Sequence, residues 1–152
     1  DGIRDRDVTG VQTCALPIWL LAEHVFEHIP PDLVPAVLEN AFRYLKPGGT
    51  IRIAVPDGHN PDPDYIRHVE PGGIGPGADD HKQLFTLESL SAALSDAGFR
   101  VEPGEWFDAD GRFHETPWGD ERGHIHRCRR HGTPDKSFPS SHLSLLVDGV
   151  KP

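Results

Sequence analysis

The stretch from Leu33 to Val55 constrains this chain more than any other part of it. Leu33, Val37, Ala41 and Leu45, with Val34, Leu38 and Phe42 beside them, recur at the spacing that lines one face of a helix. Asp32 is the expected N-cap, and Pro35 falls in the first turn, where its missing N–H costs little. Lys46-Pro47-Gly48-Gly49 then offers a cation for the negative helix end, a proline that cannot continue the helix and glycines free to take positive φ. The chain must reverse there, and Thr50-Ile51-Arg52-Ile53-Ala54-Val55 reads as a strand stopped by Pro56-Asp57. Upstream, the short apolar run Trp19-Leu20-Leu21-Ala22 ends at Glu23-His24, as the end of a buried parallel strand would. Strand, helix, tight turn and strand make a βαβ unit, which is right-handed in a parallel sheet.

Beyond it, residues 58–80 are rich in Pro, Gly, Asp and His without a sustained period, which predicts a long loop. Thr86 caps a second helix carrying Leu87, Leu90, Leu94 and Ala97, and Gly98 ends it before Phe99. Val101 to Phe107 and Arg112 to His114, joined through Asp110-Gly111, suggest a hairpin. Leu143 to Val150 is a last strand that alternates poorly, as expected where both faces are buried.

At 152 residues the chain suits one modest domain. Its formal charge of −9 argues against a nucleic-acid partner, because phosphate affinity rests on Lys and Arg. No apolar run approaches the roughly 20 residues that cross a bilayer, so no membrane partner is expected, and a cytoplasmic location is the default. Cys14 and Cys128 show neither a disulfide framework nor paired metal-ligand spacing.

Residues 1–18 follow neither a helical nor an alternating pattern. Val8 to Ile18 resembles the translation of a common sequencing-library adapter and Asp1 to Asp5 its flow-cell end, with Arg6 and Asp7 as the index between them. In that frame the adapter's leftover T opens TGG, the codon of Trp19. The expected organisation is therefore an adapter-derived 1–18, excluded from fold reasoning, followed by a native 19–152.

The run Ala22-Glu23-His24-Val25-Phe26-Glu27-His28-Ile29, the helix, Leu45-Lys46-Pro47-Gly48-Gly49 and Ile51 to Asp57 resemble the later half of class I S-adenosylmethionine-dependent methyltransferases. Asp80-His81, Phe85 to Leu90, Asp96-Ala97-Gly98-Phe99 and Ser144 to Pro152 extend the resemblance to the end of the chain. The resemblance implies an α/β fold: a Rossmann-like, mostly parallel sheet with flanking helices, truncated at its N-terminus, and an antiparallel C-terminal strand or hairpin. It also implies S-adenosylmethionine as cofactor in an intact parent, and a small-molecule or sugar-derived acceptor. The family's first strand, its Gly-rich loop and the acidic residue of its second strand have no counterpart here. At ~30 residues per strand–helix unit, about 90 residues are missing, and the chain alone is expected not to bind the cofactor or to turn over.

By that resemblance Ala22, Glu23 and His24 would line the cofactor cleft, and His24, His81 and Asp57 are the candidates for catalysis. His24, Glu27 and His28 invite a second reading. Positions i, i+3 and i+4 share a helical face, so two imidazoles and a carboxylate could converge on a metal, as in a metal-dependent hydrolase with the H-x-x-E-H pattern. Pro30-Pro31 limits the helix that would hold them, and no resident metal is expected. A non-catalytic domain that keeps the fold for binding is the third reading. Gly123 to Arg130 mixes histidines, arginines and Cys128, and without a second nearby cysteine it reads as an exposed basic segment.

Overall fold

The computed structural model describes residues 16–133 and 143–152; most of the adapter-like segment lies outside them. A first strand, β1 (Trp19–Glu23), leads through a single 3-10 turn (Phe26–His28) to helix α1 (Val34–Tyr44), strand β2 (Thr50–Pro56) and helix α2 (Pro63–Val69). A second 3-10 turn (Ala78–Asp80) precedes α3 (Leu87–Asp96), β3 (Arg100–Phe107), β4 (Phe113–Glu115), a third 3-10 turn (Asp120–Arg122) and β5 (Ser144–Val150).

The five strands form one sheet in the order β1-β2-β5-β3-β4. β1 and β2 pair in parallel, Trp19 opposite Thr50 and Glu23 opposite Ala54, the arrangement that the helix and Pro-Gly-Gly turn between them require. β5 inserts antiparallel between β2 and β3, so β1, β2 and β3 run the same way while only one pairing is parallel. All seven positions of β5 are buried, which is why its sequence does not alternate.

The turn after α1 works as its residues suggest. Gly48 takes φ +75°, and a Cβ at Gly49 would stand 2.8 Å from the carbonyl oxygens of Ile18 and Lys46. Thr50 donates to the Ile18 carbonyl at 2.8 Å and Lys46 to that of Pro17 at 3.1 Å. These are main-chain bonds, which make no demand on which side chains precede Trp19.

Two sequence expectations need correction. Asp32 is not the cap of α1: Leu33 occupies that position with no side-chain bond, because Leu33 N–H closes a turn onto the Pro30 carbonyl and Pro35 needs no partner there. The segment 58–80 is also not a plain loop. Asp62 accepts from the amides of Asp64 and Tyr65 with Pro63 in the first turn, which starts α2. Thr86 does cap α3, with Ser89 returning the bond in a capping box.

The sheet has two unlike faces. On one, Ile51, Ile53, Val55, Leu145 and Val147 pack against Leu38 of α1, Leu90 and Leu94 of α3, and Phe99. Each such side chain, fully buried, contributes roughly 1.5–3 kcal/mol. On the other, Ala54 and Leu146 meet Ile125 and Cys128 from the long β4–β5 connection, with Trp118 beside them. Arg52 and Asp148 share that second face by strand alternation. Their guanidinium and carboxylate are buried and bonded twice, at 2.8 and 2.9 Å. Arg52 also donates to the carbonyls of Gly119 and Gly123, both at 2.7 Å, and its guanidinium lies 4.9 Å from the Trp118 ring. A buried ion pair thus holds the Gly119–Gly123 part of that connection. No helix among the described residues is long and apolar enough to cross a membrane.

Candidate functional site

In a sheet with parallel strands, ligands bind beyond the carboxyl ends of those strands. At that rim β1 ends with Glu23, and His24 turns the chain with φ +53°, the one non-glycine residue at positive φ among those described. The turn is held because the His24 amide still donates to the Ala54 carbonyl at 2.8 Å. Residues kept in this sparsely populated region recur at functional sites.

His24 Nε2 lies 3.1 Å from Ser144 Oγ at the start of β5, and Arg127 reaches its Nδ1 at 3.1 Å. Glu23 accepts from the Arg127 amide at 2.7 Å. Glu23 and His24 therefore stand together at the rim with the Gly123–Arg130 segment folded over them. That segment was expected to be merely exposed and basic. Instead Ile125 and Cys128 are buried, and burial pushes the Cys128 thiol up, away from a reactive thiolate. Ala22 pairs with Ile53 inside the sheet, so only its backbone borders the rim.

Asp57 follows directly on β2. It is fully buried, with one carboxylate oxygen accepting from His59 N–H at 2.9 Å and the other from Phe107 N–H at 2.8 Å. Burial raises its carboxyl above the usual range while those two amide bonds pull the other way. The side chain ties the end of β2 to the end of β3. Tyr65, which accepts from the Asp57 amide at 3.3 Å, lines the same buried corner, and burial pushes its phenol up.

Nor do His24 and His28 share a helix. The only helical turn there begins at Phe26, anchored in the core, and His24 precedes it with positive φ. The three-residue metal face expected for a hydrolase is thereby broken. His81 belongs to a different pairing. It lies against His28, the ring centroids 4.7 Å apart, and its Nδ1 bonds the Val69 carbonyl at 2.6 Å. Glu27, next to His28, is fully buried. The sequence groups Glu27 with His28 but sets His81 apart, and the 53 residues between Glu27 and His81 hide their meeting.

The edge of the sheet bears on the same site. β1 is terminal in the strand order, and no strand among the described residues pairs its outer side. Trp19 and Leu21 are 50% and 43% exposed there.

A family model described as a methyltransferase domain matches residues 20–103, more than half of the chain. Among solved structures, a SAM-dependent methyltransferase from Archaeoglobus fulgidus is similar with a TM-score of 0.51 at 16% identity, over 88% of this chain and 58% of that one. A protein from Nostoc punctiforme described as an O-methyltransferase gives a TM-score of 0.50 at 11% identity, over 88% of this chain and 31% of that one. The chain spans less than two thirds of the length of either structure. No curated protein matches.

Proposed function

The chain belongs to the methyltransferase-domain family, and from that premise we propose that it forms the acceptor-side part of an S-adenosylmethionine-dependent methyltransferase. The observation that carries this reading is the rim: Glu23 and His24 at the carboxyl end of a strand paired in parallel with β2. That is the edge where doubly wound sheets hold their ligands.

The cofactor supplies a methyl group on a sulfonium, already electrophilic enough that the protein's task is mainly alignment and proton removal. The residues present fit one side of it. Glu23 carries a carboxylate at the rim that could accept from an amine or from hydroxyls, and Ala22 brings backbone to the same edge without side-chain bulk. The His24 imidazole, with Nε2 against Ser144 Oγ and Nδ1 facing both Arg127 and the Glu27 carboxylate, is the group at the rim that would take a proton from an acceptor. His81 and Asp57 have no such position: one lies beside His28 and the other is spent on backbone amides.

A small-molecule or sugar-derived acceptor is the proposed substrate. The net charge of −9 supports an uncharged or cationic molecule over a polyanion. Residues 1–18 remain, on this reading, adapter-derived, and the native 19–152 part of a longer domain. Recovering the upstream codons tests it: a further strand followed by a glycine-rich loop is expected. An upstream sequence with neither would favour a binding module without methyl transfer.

A further inference from the structure

Independently of methyl transfer, we propose that Glu27, His28 and His81 form a binding site for a divalent transition-metal ion of the zinc class. The group that points to it is the Glu27 carboxylate. It is fully buried, and neither oxygen has a hydrogen-bond partner among the described residues. His24 Nδ1 stands 3.0 Å from Oε1, but the same nitrogen is engaged by Arg127, and Oε2 is buried without a hydrogen bond. A buried carboxylate left this way is costly unless a cation completes it.

The two imidazoles beside it are prepared for that cation. One ligand atom from each of Glu27, His28 and His81 falls within 4.8 Å of the other two, so closing on an ion at about 2.0–2.2 Å takes only small side-chain rotations. His81 gives its Nδ1 proton to the Val69 carbonyl, which leaves the Nε2 lone pair as ligand. This is the outer bond that fixes the tautomer of metal-binding histidines. His28 Nδ1 is likewise buried without a hydrogen bond, with Asp80 Oδ2 at 3.4 Å.

The backbone holds the arrangement from both sides. Lys82 N–H donates to the Glu27 carbonyl at 2.7 Å, and Gln83 Nε2 donates to the Ile29 carbonyl at 2.9 Å. Two nitrogens and one carboxylate are a donor set for zinc, cobalt or nickel ahead of calcium or magnesium. Three protein ligands leave a coordination position open. A second group, Asp120, His124 and His131, also comes within range but is largely exposed. Its histidines already contact Asp120, at 3.7 and 3.0 Å, so no buried group there lacks a partner.

The test is titration of the untagged 152-residue chain, stripped with chelator, with Co²⁺ followed by visible absorption and Zn²⁺ as competitor. The expected result is saturation at one equivalent with micromolar or tighter affinity. His81→Ala and Glu27→Gln should each weaken it at least about tenfold, and His124→Ala should leave it unchanged. Circular dichroism on each variant confirms that the helices persist; His81→Ala, on a partly exposed side chain, guards against a Glu27→Gln that fails to fold. Absence of saturable uptake overturns the proposal. So does uptake that survives both substitutions, or that is lost with His124→Ala instead.

Discussion

The two faces of the sheet are built on different physics. The face under α1 and α3 is apolar throughout, with Leu38, Leu90 and Leu94 meeting Ile53, Leu145 and Val147. The opposite face carries the buried Arg52–Asp148 pair, Glu105 bonded to Trp118 Nε1 and Arg129 N–H, and a long connection pinned through carbonyls. Apolar packing tolerates imperfect geometry because dispersion is spread over many atoms. A buried ion pair has no such margin: its net worth is modest while intact, and removing one partner strands the other. The first face should therefore fail gradually and the second abruptly.

Arg52→Ala is the sharpest way to break that contrast. It removes the bidentate partner of Asp148 and the two carbonyl anchors of the Gly119–Gly123 segment, leaving Arg122 as the remaining tie to Asp148 and Glu102, and should cost about 3–5 kcal/mol in urea unfolding. Cleavage between Pro117 and Arg130 in limited proteolysis should accompany it. Leu94→Ala on the helical face should cost about 3 kcal/mol with no new cleavage in that segment. If both variants opened the connection equally, the two faces would not be independent. Thr86→Ala, which removes the capping box of α3, should cost about 1 kcal/mol and lower the melting temperature.

The smallest effect is electrostatic and belongs to the second face alone. Burial raises the Glu105 carboxyl above its usual value, against the bonds from Arg129 and Trp118. A carboxyl whose folded value is raised binds its proton more tightly in the folded chain. Its contribution to stability is thus fully present below the ordinary value of 4.5 and is lost as pH rises through the raised one. The stability of the wild type relative to Glu105→Gln should fall over that interval in paired denaturation curves. Glu102, held low chiefly by Arg122, works in the opposite sense, losing stability as pH falls. A flat difference curve for Glu105→Gln would remove burial as the cause of its shift.

The helical face was legible in the sequence because its information is local. The stripe from Leu33 to Leu45, the Lys46–Gly49 turn and the Thr86 cap each announce themselves within a few residues. Helix α2 carried a readable signal too, Asp62 before Pro63, but the surrounding glycines and prolines masked so short an element. The ionic face was not legible: Arg52 and Asp148 are 96 residues apart, and nothing local marks an arginine in a strand as buried. The insertion of β5 between β2 and β3 is likewise a property of the whole sheet. At the site, Glu23 and His24 could be placed from the end of their strand. The partners of Asp57 and His81 could not, since His81 meets the Glu27–His28 turn only through tertiary packing.

The rim formed by Glu23 and His24 carries the methyltransferase reading, and calorimetric titration of S-adenosylmethionine tests it most directly. The 152-residue chain alone, in which no strand among the described residues covers the outer side of β1, should show no micromolar binding. The same chain extended by its own upstream coding sequence should bind at micromolar affinity or better, and Glu23→Ala should weaken that at least about tenfold, the loss of roughly 1.4 kcal/mol. Micromolar binding by the short chain, or binding by the extended chain that ignores Glu23→Ala, would contradict it.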